Sequence, residues 1–95
     1  MTITKINILP VRNMRRLRAY VAIELDKSLS ITDIRLFQKD DHTYYLDFPA
    51  TEKARLINDS NIFLTAELRR ITTDAVLDEY NKSIQKENDN HAKGN

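Results

Sequence analysis

The chain has 95 residues, 41% of them hydrophobic, with no cysteine, no tryptophan and a formal net charge of +1. That length supports one domain with one small core, and the missing cysteines exclude a disulfide framework, a thiolate metal site and a thiol nucleophile. The charge is uneven: residues 1–38 hold seven basic and three acidic side chains and residues 39–95 eight and eleven, so a partner seeking positive charge is drawn to the first part.

Lys5, Arg12, Arg15, Arg16 and Arg18 break up every apolar run near the start. Neither a signal peptide nor a membrane span fits that pattern, and the cytoplasm is the expected compartment. Ile6 and Ile8, separated by Asn7, predict a first strand that ends near Pro10, whose missing N–H interrupts a ladder. The turn from Arg12 to Arg16 has no glycine, and Asn13 is the residue best suited to a positive φ there. Leu17, Ala19, Val21, Ile23 and Leu25 alternate with Arg16, Arg18, Tyr20, Ala22, Glu24 and Asp26, which predicts a half-exposed antiparallel strand and a hairpin with arginines at its tip.

Lys27 and Ser28 mark a second tight turn. After it, Leu29 and Ile31 share one parity and Ile34 and Leu36 the other, so either a bulge sits around Thr32 and Asp33 or the strand has apolar contacts on both faces; the bulge is the preferred reading. Lys39 to Thr43 reads as a polar turn. Tyr44, Leu46 and Phe48 then alternate with Tyr45 and Asp47 until Pro49 stops the fourth strand. Ala50 to Asn61 is a polar loop, with room for a short fifth strand near residue 55, and Ile62, Phe63 and Leu64 lead to a helix with Thr65 as its N-cap.

Leu64, Leu68, Ile71 and Ala75 form one stripe of that helix, and Val76, Leu77, Tyr80 and Ile84 form a second. One stripe covers the sheet of its own chain, and the other is left for a second subunit, with Val76, Leu77, Tyr80 and Ile84 as the expected dimer contacts. Residues 85–95 are nearly all polar and include the only glycine, Gly94, so they read as a disordered tail beyond a domain of residues 1–84. The expected fold is thus α+β, an antiparallel four- to five-stranded sheet followed by one C-terminal helix, assembled as a homodimer.

His42 and His91 share no metal-ligand spacing with each other or with a carboxylate cluster, so neither a metal nor a cofactor is expected. Asp40, Asp41 and His42 are better explained by local turn hydrogen bonds than by acid–base chemistry. With no glycine-rich phosphate loop and no nucleophile elbow, the chain is not expected to be an enzyme. Arg69 and Arg70, near the helix start, suit phosphate oxygens. A plainer account pairs Arg70 with Asp74 at i+4 or Glu67 at i−3 and leaves Arg69 solvated.

Leu17-Arg18-Ala19, Thr32-Asp33-Ile34-Arg35, Phe48-Pro49 and above all Ile71 through Ala75-Val76-Leu77-Asp78-Glu79-Tyr80 resemble the SpoVG family, the stage V sporulation protein G or septation regulators of bacteria. The resemblance covers roughly residues 3–82. It implies a small cytoplasmic homodimer that binds DNA or RNA and acts as a regulator in septation or gene expression. The family's basic run at the helix start, of the type Ser-Thr-Arg-x-Lys-Ile, corresponds to Ala66-Glu67-Leu68-Arg69-Arg70-Ile71: Arg70 matches the Lys, Leu68 stands where the Arg would fall, and Arg69 is shifted by one. After the fourth strand, where the family has Pro-Ser, two basic residues and later a Pro-Asp-Gly turn, this chain has Pro49-Ala50-Thr51-Glu52-Lys53-Ala54-Arg55, with Glu52 in place of one positive site.

The sites expected to hold phosphates are therefore Arg69 and Arg70 first, then Arg15, Arg16 and Arg18, and Lys53. Tyr20 is a candidate for stacking on an unpaired base. The alternative is a non-catalytic protein-interaction module of cell division or envelope regulation, with its protein partners unspecified.

Overall fold

The alternating first half of the chain forms four strands, β1 (Ile3–Pro10), β2 (Leu17–Leu25), β3 (Leu29–Gln38) and β4 (Tyr44–Asp47), paired antiparallel in the order β1-β2-β3-β4. A short helix, α1 (Glu52–Leu56), and a long one, α2 (Ala66–Lys93), follow. The computed structural model describes residues 1–50, 52–57 and 64–93, with backbone only at 54, 55 and 87–93. Ile62 and Phe63, expected to lead into the helix, lie outside the described residues. The short fifth strand expected near residue 55 is α1 instead: Glu, Lys, Ala, Arg and Leu all favour helix and none is β-branched. α2 continues to Lys93, through residues read as a polar tail.

The turns work without glycine. Asn13 takes a positive φ of 64°, as expected of the residue whose short polar side chain best tolerates it. At the second turn the left-handed residues are Asp26 (53°) and Lys27 (55°), one position earlier than Lys27 and Ser28, and Ser28 N–H closes the turn on Leu25 C=O at 2.9 Å. Two successive left-handed residues are the type I′ pattern, whose twist matches that of the flanking strands. His42 (70°) completes the third turn, where its N–H donates to Lys39 C=O at 2.9 Å.

Register shifts determine which side chains share a face. Ile31 and Ile34 both pair with inward residues of β2, Ile23 and Val21, because an extra residue is accommodated around Thr32 and Asp33, with Asp33 left-handed at 58°. The bulge expected there is present, and it keeps both isoleucines buried. A second shift, unforeseen, falls between Leu17 and Ala19: Ala19 pairs with Leu36 but Leu17 pairs with the next residue, Phe37. Arg18 is therefore the extra residue, and simple alternation fails at the start of β2. Leu17 is buried on the face opposite Ala19, outside the helix-side core.

One face of the sheet is covered by α2, which approaches β1 most closely. Ala19, Val21, Ile23 and Leu25 of β2, Ile31, Ile34 and Leu36 of β3, and Leu46 and Phe48 at β4 meet Val76 and Tyr80 of the helix. Leu64, Leu77 and Ile84 pack against this cluster, as do Ile3, Ile6 and Ile8 of β1. The stripe expected at a subunit interface is therefore the one that covers this chain's own sheet: Val76 is fully buried and Tyr80 nearly so. Sequence periodicity shows that two stripes exist, but only the helix's rotation over the sheet decides which one turns inward. Of the other stripe, Leu64 packs against the core while Ile71 stays 43% exposed. The N-cap is as expected, with Leu68 N–H donating to Thr65 Oγ1 at 3.2 Å and Arg69 N–H to Thr65 C=O at 2.9 Å.

Candidate functional site

The basic residues fall into two groups at opposite ends of the sheet. At one end, the β1–β2 loop and the β3–β4 turn meet. Gln38 N–H donates to Arg16 C=O at 2.9 Å, Arg18 Nε to Gln38 Oε1 at 3.0 Å, and Gln38 Nε2 to His42 C=O at 3.3 Å. Asp40 receives two arginines, Arg16 at 3.0 Å and Arg15 at 3.9 Å, all three well exposed. One carboxylate cannot balance two guanidiniums, so this rim keeps a positive surplus.

Arg18 differs from its neighbours. Its guanidinium is half-buried, with Nη1 donating to Met14 C=O at 3.2 Å and Nη2 to Arg15 C=O at 3.4 Å. It holds the loop's carbonyls in place rather than facing solvent alone. The phenol of Tyr80 is pushed above its ordinary value by burial, and then by Tyr44, with Arg18 opposing. Asp41 accepts from Thr43 Oγ1 at 2.6 Å and Thr43 N–H at 3.0 Å, and the hydroxyl's bond, then the amide's, holds its carboxyl below the usual aspartate value. Asp41 thus has the local turn partner that the sequence predicts, whereas the partners of Asp40 are the arginines of the β1–β2 loop.

The other basic group lies where β4 ends and α2 begins. Arg69 places its guanidinium over the Phe48 ring, 5.2 Å from the centroid, closing the end of the core. Arg70 pairs with Asp74 at 3.6 Å along the helix, both side chains about two-thirds exposed. Lys53 stands exposed on α1. The length of β4 separates this group from the Arg15–Arg16 rim, so the structure does not unite the two sets of arginines that the sequence suggests.

The face of the sheet away from α2 carries an arrangement that alternation alone does not reveal. Leu9, Tyr20, Arg35 and Asp47 pair in one row across the strands, and Leu17, Phe37 and Tyr45 in the next. Arg35 Nε donates to Asp47 Oδ2 at 3.0 Å. The Arg35 guanidinium lies 5.2 Å from the Phe37 centroid, Phe37 stacks on Tyr45 at 5.2 Å and 16°, and Lys39 Nζ sits 5.5 Å from the Tyr45 ring. Two shallow hollows, of about 480 and 320 Å³, share Tyr20 and Asp33. The available signal was the off-core parity of Arg35, Phe37 and Lys39, opposite Tyr45 and Asp47.

Among the described residues no three histidine, cysteine or acidic side chains converge as a metal site, and no helix is long and apolar enough to cross a membrane. An antiparallel four-stranded meander covered on one face by a C-terminal helix defines a small α+β protein. The SpoVG family model matches residues 1–82, and the chain belongs to that family, as its helix and strand motifs suggested. The family is one of small sporulation- and septation-related proteins, generally non-enzymatic regulators. No curated protein and no solved structure matches the chain significantly.

Proposed function

We propose that the protein is a cytoplasmic, non-catalytic regulator that binds DNA or RNA as a homodimer, mainly through phosphates. The observation that carries this reading is the convergence of Arg15 and Arg16 on the single carboxylate of Asp40, at an exposed rim with Lys39 and Arg18 nearby. Exposed ion pairs are worth little, so a phosphate can take over Arg16 or Arg15 without a large loss. Arg69 adds an exposed cation in the opening turns of α2 and makes no ion pair among the described residues. Arg70 can exchange Asp74 for phosphate in the same way. Because the two basic groups lie at opposite ends, a second copy or a ligand spanning the sheet would be needed to use both. Ile71, exposed on α2, leaves apolar surface for a second copy.

Fluorescence anisotropy of the full chain with short duplexes and single strands, titrated at several salt concentrations, tests the reading. If a dimer engages around four to six phosphates, log affinity on duplex DNA falls with log salt at a slope of roughly −4 to −5. Alanine at Arg15 and Arg16 together should weaken binding and flatten that slope, while sedimentation still shows the dimer. A flat salt response would remove the phosphate mechanism. Absence of binding at low salt would favour the alternative, a protein-interaction module of septation or envelope regulation, which the exposed apolar residues Leu9 and Tyr20 on the uncovered face also suit.

A further inference from the structure

We infer that the sheet face left open by α2 is a stacking platform for single-stranded nucleic acid, with Tyr45 and Tyr20 as the rings and Lys39 and Arg16 as phosphate partners. This inference rests on the nucleic-acid reading above and names the ligand's form and the surface that reads it.

Two aromatic side chains stay in water on this face, Tyr20 at 46% and Tyr45 at 37% exposure. They belong to neighbouring cross-strand rows, Tyr20 beside Arg35 and Tyr45 beside Phe37. About two strand spacings, roughly 10 Å, separate them across the sheet. Tyr45 does not rotate freely, because it stacks on Phe37; the Lys39 ammonium over its ring swings aside, toward the phosphates, when a base stacks there. A ring already ordered loses little freedom when a base stacks on it.

Cations lie beside the rings. Arg16, Lys39, Asp40, Asp41 and Tyr45 line a hollow of about 400 Å³. Its carboxylates already have partners, Asp40 in Arg15 and Arg16 and Asp41 in Thr43. Residues 11–18 and 38–43, which form this end, contain five basic and two acidic side chains. A phosphate entering the hollow therefore meets net positive charge next to an aromatic ring, the pairing that a sugar–phosphate chain with unpaired bases satisfies. A duplex keeps its bases stacked on one another and offers the rings no face, so the arrangement favours single strands.

The test compares three labelled probes by anisotropy: a single strand, its duplex, and a strand of equal length lacking bases. Full-length protein is used, with Tyr45→Ala, Tyr45→Phe and Tyr20→Ala variants whose fold is checked by circular dichroism and whose mass is checked by sedimentation. Single strands should bind best. Tyr45→Ala should lose on the order of ten-fold on them, as one stacked base is worth, with little change on the base-free strand. Tyr45→Phe should retain the affinity. Equal binding of duplex and single strand, unaffected by Tyr45→Ala, would overturn the platform but leave the regulator reading intact. No binding of any probe by the unaltered protein at low salt would overturn both. A change in sedimentation on Tyr45→Ala or Tyr20→Ala would overturn the platform in another way, by assigning this face to a second copy.

Discussion

Thr72 is the one buried polar side chain among the described residues, and its hydroxyl has no hydrogen-bond partner there. Its neighbour Thr73 shows the usual solution in a helix, donating Oγ1 to the carbonyl of Arg69 one turn back at 2.8 Å. An orphan buried hydroxyl costs about 1–3 kcal/mol in lost hydration, and valine has nearly the same shape without it. Thr72→Val should therefore raise stability by about 1 kcal/mol, measured as a higher urea midpoint at unchanged slope. A lower midpoint would mean that the hydroxyl has a partner in solution. The residue scale also shows why Arg18 differs from Arg15 and Arg16. One extra residue in β2 turns Arg18 toward Gln38 and the loop carbonyls, a consequence of register that no composition reveals.

At the scale of elements, α2 depends on a good start. Thr65 satisfies the Leu68 amide, and the first turn carries Glu67, which complements the positive end of the helix dipole. Replacing Thr65 by alanine should cost about 1 kcal/mol, within the range of roughly 0.5–2 kcal/mol for lost caps, and should loosen Arg69 over Phe48. Chemical denaturation gives the first effect; hydrogen exchange at the amides of residues 67–69 gives the second. Unchanged protection there would show that packing on the sheet, not the cap, holds the first turn. This cap was legible in the sequence because threonine directly preceded a change from period two to helical spacing. The four strands were legible because valine, isoleucine, leucine and tyrosine alternate with charged residues over most of their length. The fifth strand was misread because Leu56 and Ile57 resemble a short apolar run, whereas Glu52 to Leu56 contains only good helix formers. The bulge at Arg18 stayed hidden because a buried leucine fits either face, so Leu17 extends the pattern in sequence but not in space.

For the whole molecule, the balance of charge at the Arg15–Arg16 rim decides between a surface that binds and one that merely dissolves. The sequence showed a basic first hairpin, but it could not show that Asp40, twenty-four residues from Arg16, is the carboxylate that restrains it. Nor could it show that Arg69 and Arg70 lie at the far end of the sheet, since that follows from the path of α2 over the strands. The restraint itself gives a sharp experiment. Asp40→Asn keeps the turn's size and its capacity to hydrogen-bond but removes the negative charge shared by Arg15 and Arg16. If phosphates bind at this rim, the variant should bind single-stranded DNA or RNA several-fold more tightly at low salt, because a repulsive charge is lost and two guanidiniums are released. The gain should shrink as salt rises and screening takes over. The combined variant with alanine at Arg15 and Arg16 should lose the gain, since Asp40 acts mainly through those two side chains. Tighter binding that persists without the arginines would place the effect in the turn's shape, whereas unchanged affinity in the single variant would move the phosphate contacts to Arg69 and Arg70 at the start of α2 or to Lys53 on α1.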